Sequence, residues 1–172
     1  MNKKFLWLFM MVPCSMEGLP MHITSPAFLE GQEMPALYTC DDKGYSPELV
    51  ISDVPKNAKS LVLICDDPDA PKGAWVHWII FNLPPAVDSI PENANPTALF
   101  KGSIVGKNSW HKNNYGGPCP PEGFHRYYFK LYALDVLLRL DLSATKDDVQ
   151  AAMEGHILAK AHLMGRYKKK KS

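Results

Sequence analysis

No two of the four cysteines, Cys14, Cys40, Cys65 and Cys119, stand in a CxxC pair, so the ligand spacing of a structural zinc site is missing. There is no HExxH helix and no serine or cysteine in a nucleophile elbow, which removes the usual sequence marks of a metalloprotease or an acyl-transfer enzyme. No apolar run approaches the length needed to span a bilayer. Outside residues 1–20 and the terminal "KKKKS", 13 Lys and Arg face 17 Asp and Glu, a net charge of −4, which argues against a nucleic-acid surface. Internal repeats are absent, and the lysine tail is the one low-complexity stretch.

What the chain has in quantity is proline and glycine, 15 and 11 among 172 residues, with 46% apolar residues. That composition favours a turn-rich β protein, and the length suits one ordinary domain. The domain is expected over residues 21–167. Residues 1–20 open on "MNKKFLWLFMMV", with the basic start and short apolar run of a secretory signal but no small-x-small cleavage site. They are either a degenerate signal, implying export, or an upstream extension of a cytoplasmic protein starting near Met21. Residues 168–172 form a basic tail, expected to be solvated, although such a run can also attract an anionic membrane. The cysteines are expected as free thiols, with a Cys40–Cys65 bridge as the alternative after export.

The runs "PELVISDV", "KSLVLICDD", "WVHWIIFNLP" and "HRYYFKLYALD" are β-branched and aromatic, bounded by Pro, Gly and Asp; they read as strands. The continuous apolar character of the last three suggests burial on both faces. The stretch between "NLP" and "FHRYY" is too long for an ordinary connection and should either build its own structure or build a site. Thr145 with Asp148 forms a variant capping box that starts a helix, with Val149, Ala152, Met153, His156 and Ile157 on one face. Gly155 is expected to separate it from a second short helix in "HILAKAHLMGRY".

Two clusters carry chemistry. In "CDDPDAPKGAWVHW", Asp67 and Asp69 alternate and share a side if the chain stays extended. Alone they read as a strand cap with Asx turns. His77 lies within a strand and needs hydrogen-bond partners if buried; a neighbouring carboxylate would orient its ring and favour its protonated form. In "YGGPCPPEGFHRYYF", His125 and Tyr127 fall on one face of a strand and Arg126 on the other. His125 and Tyr127 can then donate into a pocket while Arg126 pairs with an acid such as Asp69.

These two motifs, in this order, resemble the phosphatidylethanolamine-binding protein family, specifically its bacterial and archaeal Raf-kinase-inhibitor-like branch. The resemblance runs from about Met21 to Tyr167 and takes in "SPAF", "YTCDDKGYSPEL" and "GHILAKAHLMGRY". It implies a mainly β, sandwich-like fold, a large central antiparallel sheet packed on a smaller one, with short C-terminal helices. It also implies a small pocket for phosphate or a phosphoryl head group, formed by Asp67, His77, His125 and Tyr127 with Gly117 and Pro121 on the rim, supported by Asp69 and Arg126. A cis bond between Ala70 and Pro71 is implied as well. "PPEGFHR" is compact and "RYKKKK" has no clear counterpart of the longer C-terminal helix of animal members, departures that bear on lipid selectivity and kinase regulation and leave the anion pocket intact.

Three classes follow. The favoured one is a non-enzymatic binder of a small anionic ligand, without cofactor or metal, monomeric or homodimeric, that modulates a partner kinase or protease. The others are a hydrolase with His125 or Asp67 as general base, and a metal site on Asp67, Asp69, His77 and His125.

Overall fold

The structure, a computed structural model, describes residues 20–94 and 100–170. The signal-or-extension reading of the N-terminus therefore lies outside the described residues. Among the described residues, eight strands form two antiparallel sheets. The smaller has the order β1-β2-β5, from His22–Thr24 (β1), Leu49–Ser52 (β2) and Ser89–Ile90 (β5). The larger has the order β6-β4-β3-β7-β8, from Ser60–Asp67 (β3), Trp75–Leu83 (β4), Ile104–Val105 (β6), His125–Leu134 (β7) and Ile157–Tyr167 (β8). An α-helix, α1, spans Lys146–Met153.

Alternation along β3 explains its unbroken apolar run. Leu61, Leu63 and Cys65 join the core shared with Ile23, Leu49, Ile51 and Ile90 of the small sheet. Val62 and Ile64 enter a second core with Phe81, Val149 and Met153, on the face covered by α1. β3 is buried along its whole length and β4 nearly so, as expected. β7 departs from that expectation. Its residues alternate, with His125, Tyr127, Phe129, Leu131 and Ala133 buried while Arg126, Tyr128, Lys130 and Tyr132 remain exposed or half-buried.

The capping box at Thr145 is formed, with Asp148 as its partner. The second helix is not. Gly155, at φ +76°, ends the helical segment, and His156 and Ile157 lie beyond it, off the helical face they were expected to share with Val149. Residues 157–167 instead pair with β7 from end to end. Their residues at odd positions turn inward, reaching full burial at Leu163, Gly165 and Tyr167, which is the period of a strand rather than a helix. The bond before Pro71 is trans, like every described peptide bond, correcting the implied cis geometry. The cysteine expectation is also corrected. Cys40 bonds Cys119, while Cys65 is fixed in the middle of β3, buried and free.

Candidate functional site

A shift in strand register shapes the site. Cys65 pairs with Trp78 but Asp66 pairs with Val76, so His77 is an extra residue on β4, a β-bulge. Bulges re-aim side chains, and this one sets the His77 ring edge-on to Tyr127, at 5.2 Å between centroids. Its Nδ1 lies 2.6 Å from the Gly116 carbonyl. A carbonyl can only accept, so the proton sits on Nδ1, leaving Nε2 as the ring nitrogen without a hydrogen-bond partner among the described residues. Burial, opposed by the Gly116 carbonyl and then by the charge of Asp67, holds the His77 pKa below its usual value of 6.5.

That shift has a sign for stability. The unfolded chain takes up a proton near pH 6.5 while the folded chain does so only at lower pH, so the contribution of His77 is complete above 6.5 and is lost as pH falls below it. Urea unfolding at pH 7.5 and 5.5 should show the His77→Gln variant losing less stability than the unsubstituted protein over that interval. Equal losses would exclude this role.

Asp67 ends β3 on the same side. Its Oδ2 lies 2.7 Å from His125 Nδ1, and its Oδ1 accepts the Asp69 amide at 2.8 Å. Both partners of the Asp67–His125 pair are buried. The Asx turn at Pro68, not a cis proline, directs the carboxylate inward and turns the chain, so Asp69 does not share the side of Asp67. Asp69 sits at the surface and takes the Arg126 guanidinium bidentately, at 2.9 and 2.7 Å, together with the Arg126 amide. The guanidinium hydrogen bond holds the Asp69 pKa below its ordinary value. Tyr127, on the inward face of β7, has a buried hydroxyl without a hydrogen-bond partner among the described residues. Burial first, then the charge of Asp67, push its pKa up; it remains a phenol with a proton to donate.

These groups line a cavity of about 250 Å³ formed by Asp67, Ala70, Pro71, Trp75, His77, Trp110, Cys119, Pro120, Pro121, His125 and Tyr127. A wider cleft of about 440 Å³ opens at the start of α1, beside Lys107 and Lys146, but it lacks the buried carboxylate and imidazole pair. Of the expected residues, Asp67, His77, His125, Tyr127 and Pro121 come together. Gly117 does not line the cavity; it packs on the Tyr38–Thr39 backbone, where a Cβ would lie 3.0 Å from the Tyr38 carbonyl oxygen. Its neighbour Gly116 makes the contact with His77. Among the described residues, no group of three or more His, Cys, Asp or Glu is arranged to hold a metal ion.

Sequence reasoning missed the two tryptophans. Trp75 is two residues before His77, but the bulge disturbs the alternation that would have tied them together. Trp110 stands edge-on to both Trp75 and His77. It comes from the long connection, whose hub is Asn108: this buried side chain accepts the Trp110 and Lys112 amides and donates to the Asn114 carbonyl. The connection thus builds its own structure and one wall of the cavity. The basic tail is also placed. Lys168–Lys170 flank Pro120–Gly123, and the Lys170 amide and Tyr167 hydroxyl both donate to Asp41 Oδ2.

The fold defines a two-sheet antiparallel β protein with a small cavity at one end of the larger sheet, and comparison supplies the family. The family model described as phosphatidylethanolamine-binding protein matches residues 24–168; the chain belongs to that family. A UPF0098 protein of Methanothermobacter thermautotrophicus is 49% identical over 150 residues, covering 87% of this chain and 99% of its own. One from Chlamydia trachomatis is 47% identical over 154 residues, covering 87% and 99%. Among solved structures, a phosphatidylethanolamine-binding protein homolog from Chlamydia trachomatis matches with a TM-score of 0.83 at 46% identity, covering 88% of this chain and 99% of that one. E. coli YbcL, a member of the mammalian family, matches with a TM-score of 0.82 at 30% identity, covering 87% and 99%. The family is generally non-enzymatic. No helix among the described residues is long and apolar enough to cross a membrane.

Proposed function

We propose that the chain is a non-enzymatic binding module that takes a small anion, a phosphate or the phosphoryl group of a larger molecule, in the cavity of Asp67, His77, His125 and Tyr127, with Pro121 at its edge. The observation that carries this reading is the set of unpartnered polar groups meeting there: His77 Nε2, His125 Nε2 and the buried Tyr127 hydroxyl. A buried hydroxyl without a partner is costly, and a phosphoryl group answers both kinds of need in the cavity: its oxygens accept from the Tyr127 hydroxyl, and a P–OH donates to an unprotonated imidazole nitrogen such as His77 Nε2. Size supports the same class. At about 250 Å³ the cavity falls below the 300–1,000 Å³ or so typical of drug-sized ligands, so it fits a head group rather than a whole lipid.

The Asp67 carboxylate opposes an anion unless a histidine nearby takes up a proton. His77 is held neutral by burial. His125 stands 2.7 Å from Asp67 and lines the same cavity. Anion binding is thereby coupled to proton uptake and strengthens as pH falls. Sulfate keeps its charge across the range and isolates the protein's share. Calorimetric titration with sulfate and phosphoethanolamine should give roughly tenfold tighter binding at about pH 6 than at about pH 8, the interval in which histidine titrates. Equal affinities at the two pH values would refute the coupling.

A further inference from the structure

The Cys40–Cys119 disulfide sits at the cavity mouth. Cys119 lines the cavity, and both half-cystines are exposed, so a solvent-borne thiol can reach them. The bond joins the segment after the short 3₁₀ turn Ala36–Tyr38 to the glycine and proline loop, across 79 residues of sequence.

What else holds the loop is uneven. Its first half is docked without the disulfide: the Gly116 amide donates to the His77 carbonyl, the Cys40 amide to the Pro118 carbonyl, and the Tyr115 hydroxyl to the Tyr38 carbonyl. Its second half, residues 119–124, makes no hydrogen bond to any part of the protein among the described residues. That half carries Pro120 and Pro121, the outer wall of the cavity. The disulfide is therefore the one covalent tie between this wall and the neighbouring segment, placed where noncovalent polar ties are missing.

We propose that Cys40–Cys119 is a thiol-exchange site through which a dithiol reductant lowers the affinity of the cavity for anions. The inference rests on the anion reading of that cavity. One thiolate of the reductant attacks one cystine sulfur, forming a mixed disulfide and releasing the other cysteine, which takes a proton. The second thiol of the reductant then displaces the remaining cysteine and leaves as the oxidised disulfide. Two electrons and two protons pass to the protein, giving two cysteine thiols. Pro120 and Pro121 are then tethered only through the backbone, the wall moves outward, and water enters a site whose electrostatic attraction depends on its exclusion. Cys65 takes no part, because it is enclosed in the core and burial pushes its thiol pKa well up.

Two readouts on the full-length protein, oxidised or treated with dithiothreitol, test this. The first is the rate of cleavage after Glu122 by a glutamate-specific protease, which reports the wall without any ligand. The second is the affinity for inorganic phosphate at pH 6 by calorimetry. Reduction should speed cleavage at least tenfold and weaken phosphate binding at least tenfold. The Cys40→Ser/Cys119→Ser double variant should match the reduced protein in both and no longer respond to dithiothreitol. Unchanged cleavage, or faster cleavage with unchanged phosphate affinity, overturns the proposal. If the oxidised protein binds no phosphate, the anion reading fails and with it the affinity role, whereas the cleavage rate still decides whether the disulfide restrains the wall.

Discussion

Replacing Asp67 with asparagine is expected to cost about 3 kcal/mol of folding stability and to lower Tm by roughly 6–12 °C. Both carboxylate oxygens face N–H groups, Oδ1 the Asp69 amide and Oδ2 the His125 ring. Asparagine supplies one carbonyl and one NH2: with its carbonyl on the Asp69 amide, its NH2 faces the His125 ring, which accepts there only by carrying its proton on Nε2, and the charge-assisted hydrogen bonds of the carboxylate are lost in a site that is 4% exposed. Asp69→Asn is the contrast. That residue holds Arg126 at the surface, where solvent screens the pair, and its loss should cost under about 1 kcal/mol. Scanning calorimetry of both variants decides the matter. Equal falls in Tm would mean that the Asp67–His125 pair is not the anchor of this end of the sheet.

His125→Gln should weaken phosphate binding at pH 6 by roughly ten- to a hundredfold, the scale of one hydrogen bond to a charged group. Calorimetric titration checks this, and an unchanged affinity would remove His125 from the site. Arg126→Gln, on the outward face of β7, should leave the affinity within about threefold, because it loses only a screened surface pair.

The parts of the fold legible in the sequence were those where one period dominated. β3, β4 and β7 are dense in branched and aromatic residues with firm boundaries, and α1 is announced by Thr145 and Asp148. β8 was misread because "HILAKAHLMGRY" is short of branched residues and rich in good helix formers; pairing along the full length of β7 outweighs that local preference. Two features that complete the site left no local trace. The bulge at His77 arises from how β4 registers against β3. The Cys40–Cys119 bond arises from how two distant loops meet. The alternation around His125 placed it and Tyr127 on one face, as the structure has them, because it needs only that β7 be a strand. Gly117 was expected on the rim from the family resemblance alone, yet the loop turns it onto Tyr38 and Thr39, and it is Gly116 whose carbonyl meets His77.

The central claim, that an anion occupies the cavity of Asp67, His77, His125 and Tyr127, is tested most directly by the electron density of crystals of the oxidised protein soaked with phosphoethanolamine near pH 6. The account predicts a phosphoryl group within hydrogen-bond distance of His77 Nε2, His125 Nε2 and the Tyr127 hydroxyl. Phosphoryl density confined to the lysine-lined clefts at Lys168–Lys170 or at the start of α1, with the cavity holding only water, would contradict it.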